Sequence, residues 1–161
     1  MSIRHLFLGI LAVGFLCEPA PATPRIHGAL RTWHPLEIQF EGPQASESDT
    51  APNPFLDFRL QVRFTAPNGS IYDVPGFFNG DGAGNGAGKI WSVRFTPDQP
   101  GPWSYRAVFR QGKRVVVGER PSSDETNSGA PVAFDGISGT FEVQPRDVEA
   151  PGFFKWGRLE Y

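Results

Sequence analysis

Apolar and polar residues alternate along most of the chain after residue 33, as they do in strands that bury one face. Residues 58–65 show this most clearly, since Phe, Leu, Val and Phe alternate with Arg, Gln, Arg and Thr. A shift of one residue would put arginines in the core, so the register of this strand is well specified. The same pattern predicts further strands at residues 36–41, 71–78, 91–95, 103–110, 115–117 and 140–143.

Segments rich in Gly, Pro, Asn and Ser separate the predicted strands and indicate turns and loops. Residues 42–54 are expected to form a loop. Asn68-Gly69 is expected to form a hairpin turn, because this pair accepts the positive φ that tight turns require. Residues 79–88 hold five glycines and no large apolar side chain, which predicts a surface loop. Seven or eight strands joined in this way predict an all-β fold, an immunoglobulin-like antiparallel β-sandwich.

The composition is consistent with one domain that lacks long helices. The 161 residues include 19 Gly and 16 Pro, together with 14 Phe, 4 Trp and 3 Tyr that can fill a single core. A formal net charge of -2 gives no clustered basic face, so no nucleic-acid partner is expected. No cofactor is expected.

Residues 1–22 have the pattern of a secretory signal peptide. A basic start precedes an uncharged run at residues 6–16, and small residues ending at Ala22 predict cleavage there. The run is too short for a membrane helix, which needs about 20 residues, so we expect a secreted or periplasmic protein with no membrane contact after cleavage. A retained anchor is the first alternative. Lipid attachment at Cys17, the only cysteine, is the second, and Leu16 is a poor residue to precede it.

Residues 98–105 have the pattern of the corner that leads into strand F of immunoglobulin-like domains. The segment holds an acid, a glycine and then two inward-facing aromatics, Trp103 and Tyr105. In those domains a tyrosine ties the corner to nearby backbone, and here Trp103 has the equivalent spacing. Tyr105 stands where antibodies have a disulfide cysteine, and a ring that buries about 150–250 Å² is a reasonable replacement for a cystine.

Five ordered segments carry a resemblance to a known family. They are residues 53–55 (NPF), 74–82 (VPGFFNGDG), 90–98 (IWSVRFTPD), 100–105 (PGPWSY) and 139–141 (GTF). Together they resemble the bacterial N-terminal β-sandwich family called domain of unknown function 5060 (DUF5060), over about residues 33–143. The resemblance implies a module that precedes a glycoside-hydrolase-like barrel in secreted, polysaccharide-processing proteins.

The expected domain organisation follows from the leader and the resemblance. Residues 1–22 are the signal peptide, 23–32 an N-terminal lead-in and 33–145 the sandwich. Residues 146–161 are a linker or the start of a missing C-terminal domain, because residues 150–161 look like the lead-in to the barrel. The segment is also too apolar for a free tail. We therefore expect a truncated gene product or a fragment, whose missing catalytic barrel is its partner.

Catalysis within this chain would need two carboxylates about 5–9.5 Å apart across a cleft, as in glycosidases. All the candidates fall in predicted turns or loops, and nothing in the sequence pairs any two of them. We therefore expect no enzyme activity from this chain. His27 and His34 are expected to be exposed near the mature N-terminus rather than to act as ligands or bases. The carboxylate candidates are Asp73, Asp81, Asp98, Asp124, Glu125 and Asp135.

The glycine-rich segment at residues 79–88 has two motif interpretations. It lacks the glycine spacing and the following helix of a phosphate-binding loop. A calcium site could use Asn79, Asp81, Asn85 and backbone carbonyls, although the twelfth loop position is Ser92 rather than a bidentate glutamate. A flexible hairpin connection is the simpler expectation.

Aromatic side chains are the remaining candidates for contacts. Phe77 and Phe78 are adjacent in a predicted strand and cannot both face the core, so one of them is available for a contact. Trp33 and Trp156 are also unconstrained. Phe77, Phe78 and Trp156 are therefore the candidates for contact with a carbohydrate or a neighbouring domain. The inward positions predict a core of Phe58, Phe64, Trp91, Phe95, Trp103 and Tyr105, and the outward ones a charged face with Arg59, Arg63, Arg94 and Arg106.

Three functions fit these expectations. The first is a non-catalytic accessory module that docks or orients a carbohydrate-active catalytic domain. The alternative is a carbohydrate-binding module that contacts polysaccharide through exposed aromatics or the Asn79–Gly88 loop. The third, a self-contained hydrolase, requires two converging carboxylates.

Overall fold

The computed structural model describes residues 23–117 and 129–157. Within these ranges the chain forms nine strands and one short helix. The strands are β1 Arg25–Gly28, β2 Leu36–Ser46, β3 Phe58–Thr65, β4 Ile71–Pro75, β5 Phe77–Phe78, β6 Ala87–Phe95, β7 Gly101–Gln111, β8 Ala130–Pro131 and β9 Ser138–Val143, and the helix is α1 Phe153–Trp156.

The strands form two antiparallel sheets. The first sheet has the order β1-β2-β6-β5, and the second has the order β4-β3-β7 with both β8 and β9 paired to the far edge of β7. These orders correspond to the A-B-E-D and C′-C-F-G sheets of an immunoglobulin-like sandwich. The predicted fold class is therefore confirmed, and β7 is the strand F that the corner pattern indicated.

The core between the sheets is mostly aromatic. Phe64 of β3 stacks on Phe95 of β6 with ring centres 4.2 Å apart, and Phe58 contacts Trp91 at 5.0 Å, so rings from the two sheets interdigitate. Burying one such side chain contributes about 1.5–3 kcal/mol. The six aromatics predicted to face inward are all buried: Phe58, Phe64, Trp91, Phe95, Trp103 and Tyr105.

The single strand predicted at residues 71–78 is wrong, because the chain changes sheet at Gly76. β4 pairs with β3 in the second sheet, whereas β5 pairs with β6 in the first. The Gly76 N–H donates to the Leu60 carbonyl at 2.9 Å, and a Cβ at Gly76 would lie 2.4 Å from the Leu60 side chain. Only glycine fits this close approach. The crossing between sheets positions Phe77 and Phe78.

Two other boundaries also differ from the prediction. The loop predicted at residues 42–54 is shorter, because β2 continues to Ser46 through a bulge between Glu41 and Ala45. The strand predicted at residues 115–117 is a turn, in which the Val115 N–H donates to the Gly112 carbonyl at 3.1 Å. Three β-branched residues favour a strand, but no neighbouring strand pairs with them in the described ranges.

The short edge strands were not predicted. β1 lies within the segment expected to be an N-terminal lead-in, and it pairs with β2 from Arg25 to Gly28. β8 has only two residues, too few for any alternation to be visible. In residues 23–117 and 129–157, no helix has the length and apolar character needed to cross a membrane. The predicted signal peptide and its cleavage site at Ala22 lie outside the described residues.

Candidate functional site

The candidate carboxylates within the described residues are each engaged separately. Asp73 forms a bidentate ion pair with Arg63, with N–O distances of 2.8 and 2.9 Å. Asp98 Oδ2 accepts a 2.7 Å hydrogen bond from the Tyr72 hydroxyl. Asp124 and Glu125 lie outside the described residues.

Asp135 is also engaged, by one backbone N–H and one guanidinium group. It accepts from the Phe109 N–H at 2.8 Å and lies 3.3 Å from the Arg110 guanidinium. Across the described ranges, no group of three His, Cys, Asp or Glu side chains could hold a metal ion. A catalytic role for this part of the chain is therefore unsupported.

Glu37 lies at the centre of a polar cluster on the outer face of the first sheet. Its Oε1 accepts from Gln39 Nε2 at 2.9 Å, Ser92 Oγ at 3.0 Å and Asn79 Nδ2 at 3.1 Å. Its Oε2 accepts from Arg94 Nε at 2.8 Å. Burial alone would raise the pKa of Glu37, but the hydrogen bonds from Gln39, Arg94 and Ser92 outweigh it and hold the pKa below its ordinary value. Four hydrogen-bond donors around one carboxylate favour its ionised form.

Asn79 belongs to this cluster, whereas the other two predicted calcium ligands, Asp81 and Asn85, bond to each other. The Asn79 amide is directed at Glu37 and at Ser92 Oγ, 3.0 Å away. Asp81 instead closes its own loop, because Oδ1 accepts from the N–H groups of Ala83 at 2.8 Å and Asn85 at 3.1 Å, and Oδ2 accepts from the Asn85 amide. The Asn85 amide is the main cause of the lowered pKa of Asp81. Calcium binding by the three residues stays a prediction.

Phe77 and Phe78 face opposite sides, as adjacent strand residues must. Phe78 is buried and contacts Trp91 at 5.0 Å, so it belongs to the core. Phe77 is half-buried on the outer side, and the Arg94 guanidinium lies 5.0 Å from its ring centre. Of the two rings, Phe77 is the accessible one.

A cleft opens at the edge of the sandwich next to Phe77, and we call it the edge cleft. Its volume is about 300 Å³, at the small end of the range for ligand sites of about 300–1,000 Å³. The exposed Phe55 and Val116 and the half-buried Phe77 supply apolar groups at this cleft. Its polar side chains are Arg59, Gln61 and Asp73. This cleft could not be predicted from local sequence patterns, because its residues come from four separate segments.

The aromatic segment at residues 153–157 folds back on the sandwich. The Phe154 ring stacks on His34 with centres 4.8 Å apart and planes 25° from parallel. Gly157 lies so close to Trp33 that an added Cβ would be 2.5 Å from the indole. Even so, α1 remains exposed: Phe153 by 66%, Phe154 by 41% and Trp156 by 69%. The predicted contact residue Trp156 is thus accessible, with Lys155 Nζ 5.0 Å from its ring centre.

A shallow hollow separates α1 from the sandwich, and we call it the α1 hollow. Phe153 forms one wall, and Trp33, Tyr72 and Phe95 form the others. Asp98 also lines it, and within the described residues its buried Oδ1 has no hydrogen-bond partner. An unsatisfied carboxylate oxygen beside exposed rings is unusual, because such atoms are normally paired.

Comparisons with known proteins identify a matching family and a similar solved structure. The model of a family described as a domain of unknown function, DUF5060, matches residues 29–110. The chain is also similar to a crystal structure from Bacteroides vulgatus described as a "putative glycoside hydrolase", with 25% sequence identity and a TM-score of 0.44. That match covers 71% of this chain and 16% of the Bacteroides vulgatus chain. No curated protein matches the chain.

Proposed function

Since the chain belongs to the DUF5060 family, we propose that its sandwich is a non-catalytic accessory module that docks onto a glycoside-hydrolase-like catalytic domain and orients it. The partner class comes from the family resemblance of the sequence. The exposed aromatic side chains of α1 support the choice of docking surface. The proposal places α1 and the α1 hollow at the interface.

The observation that carries this proposal is the exposure of three aromatic side chains on an anchored helix. A four-residue helix is too short to be stable alone, so α1 depends on its contacts with the sandwich. These contacts use Phe154 and Gly157 and leave Phe153 and Trp156 largely in solvent. Large aromatic side chains grouped on the surface typically mark a contact site.

The anchor of α1 is rigid on the sandwich side. Trp33 has a φ of 68°, which non-glycine residues rarely adopt. Its N–H donates to the Pro97 carbonyl at 2.9 Å, which holds the indole in place beneath Gly157. A non-glycine residue held in this conformation costs energy, and such residues cluster at functional sites. The arrangement supports a fixed angle between the module and whatever follows it.

The α1 hollow supplies the polar part of the proposed interface. Asp98 lines the hollow with a buried Oδ1 that has no hydrogen-bond partner within the described residues, so a donor of the partner could reach it only if the hollow opened on docking. Two exposed rings bury about 150–250 Å² each, which is less than the roughly 800 Å² per partner of a stable interface. The interface must therefore extend beyond α1 into the hollow.

Calorimetry on a fusion tests this proposal. The full chain would be joined to the barrel of a longer DUF5060 protein, and its thermal unfolding compared with that of the two separate parts. Docking predicts that the parts unfold together or that the less stable part gains several degrees. Phe153→Ala with Trp156→Ala should remove that gain. Ile71→Ala, which truncates an exposed residue elsewhere, should not. Independent unfolding of the two parts at unchanged temperatures would rule out docking.

A further inference from the structure

The edge cleft exists because β4 pairs with only part of β3 and leaves the first residues of β3 uncovered. β4 pairs with β3 only from Gln61 to Thr65, and the chain then crosses to the other sheet at Gly76. Phe58 and Arg59 are consequently left without a ladder partner on that side. The gap is bordered by Phe77 from β5 and by Phe55 from the preceding loop. A concave site thus follows from the backbone path itself.

Arg59 gives the cleft an uncompensated positive charge. Its side chain is half-buried and has no ion pair or hydrogen bond in residues 23–117 and 129–157. The neighbouring arginines do have partners: Arg63 pairs with Asp73, and Arg110 with Asp135. Arg110 is also the cross-strand partner of Arg59. Arg59, Arg63 and Arg110 therefore share two carboxylates, Asp73 and Asp135.

The electrostatics of Arg59 also indicate that its positive charge has no counter-ion. Burial, with a smaller contribution from the Arg110 cation, lowers the pKa of Arg59 from its ordinary value. No carboxylate acts in the opposite direction. A half-buried guanidinium without a counter-ion favours an anion that can accept two parallel hydrogen bonds, such as a carboxylate.

The apolar side of the cleft is formed by two aromatic rings. Phe55 is 49% exposed and meets Phe78 edge-on, with centres 6.4 Å apart and planes at 73°. The Arg94 guanidinium, which is itself paired with Glu37, lies 5.0 Å from the centre of the Phe77 ring. Rings in these positions can pack against the C–H face of a six-membered ligand ring.

The remaining polar groups suit hydroxyls. Gln61 offers an amide that both donates and accepts, and Asp73 offers carboxylate oxygens that accept. Hydroxyl groups do both, so a ligand with several hydroxyls satisfies these side chains without adding charge. The cleft therefore combines one unpaired cation, two ring faces and two hydroxyl-compatible groups.

We propose that the edge cleft binds a uronic acid unit of an acidic polysaccharide. The sugar carboxylate pairs with Arg59, the C–H face of the ring packs on Phe55 or Phe77, and the hydroxyls bond to Gln61 and Asp73. A neutral sugar would leave the Arg59 charge unpaired, which disfavours it. The site shares no residue with α1 or the α1 hollow. The sugar-binding proposal can therefore be wrong while the docking proposal is right, and the reverse.

Calorimetric titration of the full chain with an oligogalacturonate tests this site, with a neutral cello-oligosaccharide and an acidic peptide as comparison ligands. Arg59→Gln should weaken oligogalacturonate binding about ten- to a hundredfold, as loss of a charge-assisted bond does. Arg106→Gln is the matched control, because it removes the same charge from an exposed position on the same sheet that does not line the cleft. It should change binding by less than about twofold. Circular dichroism confirms that each variant is folded.

Three results would overturn the proposal. The first is no heat of binding for oligogalacturonate at millimolar concentration. The second is equal loss in Arg59→Gln and Arg106→Gln, which would indicate general attraction of a polyanion to the arginine-bearing face. The third is equal or tighter binding of the neutral sugar or the acidic peptide, since either would show that the cleft does not select a sugar carboxylate.

Discussion

The indole Nε1 of Trp103 donates a 3.0 Å hydrogen bond to the backbone carbonyl of Gln99. Trp103 lies near the start of β7 and is almost fully buried, so its ring and its hydrogen bond together fix the corner that leads into the strand. This is the role that a tyrosine hydroxyl has in other immunoglobulin-like domains. The corner is therefore closed by an indole in this chain.

Loss of that hydrogen bond should destabilise the sandwich. Trp103→Phe keeps most of the buried ring but leaves the Gln99 carbonyl without its donor and opens a small cavity. We expect the free energy of unfolding to fall by about 1–3 kcal/mol, measured by urea denaturation. The same change at the exposed Trp156 should alter stability by less than about 0.5 kcal/mol. Equal effects at the two positions would show that the corner bond is dispensable.

Attachment of α1 should depend on the missing side chain of Gly157. A methyl group there would lie 2.5 Å from the Trp33 indole, so Gly157→Ala should release α1. Hydrogen exchange should then accelerate at the Trp156 and Gly157 amides, which donate to the Gly152 and Phe153 carbonyls.

Gly152→Ala is the matched control for this change. Gly152 also has a positive φ, 55° against 77° at Gly157, but a Cβ there meets no atom within 4 Å. Backbone strain is therefore common to both variants, and only the contact with Trp33 differs. If both variants exchanged at the same rate, the indole would not be the anchor.

The Glu37 cluster should make part of the stability depend on pH. The pKa of Glu37 is lowered in the folded state, so its contribution to stability is complete above the ordinary pKa of 4.5 and is lost as the pH falls through the folded pKa. Glu37→Gln should therefore flatten the fall in unfolding free energy below about pH 4, by up to one bound proton. Denaturant titrations at several pH values measure this slope.

The control for the pH slope is Glu142→Gln. The Glu142 carboxylate is exposed and has no hydrogen bond in the described part of the chain, so this variant removes a carboxylate without removing a hydrogen-bond cluster. An unchanged slope in Glu37→Gln would show that the four donors around Glu37 do not favour its ionised form.

Calcium binding at the glycine-rich loop stays untested, but the contacts of Asn79 and Asp81 argue against it. Asn79 is held by Glu37 and Ser92, and Asp81 is occupied by donors of its own loop. We expect millimolar calcium to change the unfolding temperature by less than about 1 °C, because a specific site would stabilise the fold in proportion to its occupancy. A clear rise that disappears in Asp81→Asn would instead establish a site in the glycine-rich loop.

Local pattern predicted the features that depend on one strand at a time. The alternation at residues 58–65 defined β3 with its buried Phe58 and Phe64, and the acid-glycine-aromatic spacing located Trp103. These predictions were confirmed because a strand that buries one face has an apolar residue at every second position. The aromatic core followed for the same reason.

Features that depend on long-range pairing were not predicted. Alternation is the same on both sides of Gly76, so it cannot show that the chain changes sheet there. The cluster around Glu37 needs Arg94, which is its cross-strand partner 57 residues away. The edge cleft likewise requires the loop, β3, β4 and β5 to be assembled before Arg59 and Phe77 line the same cleft.

Carbene footprinting of Trp156 tests the docking role most directly. The isolated chain and its fusion to the barrel of a longer DUF5060 protein would be labelled in parallel, with the exposed Ile71 and Val148 as internal references. Docking through α1 predicts that labelling of Trp156 and Phe153 falls several-fold in the fusion while the references stay constant. Unchanged labelling of both rings would mean that α1 is not the surface on which the barrel rests.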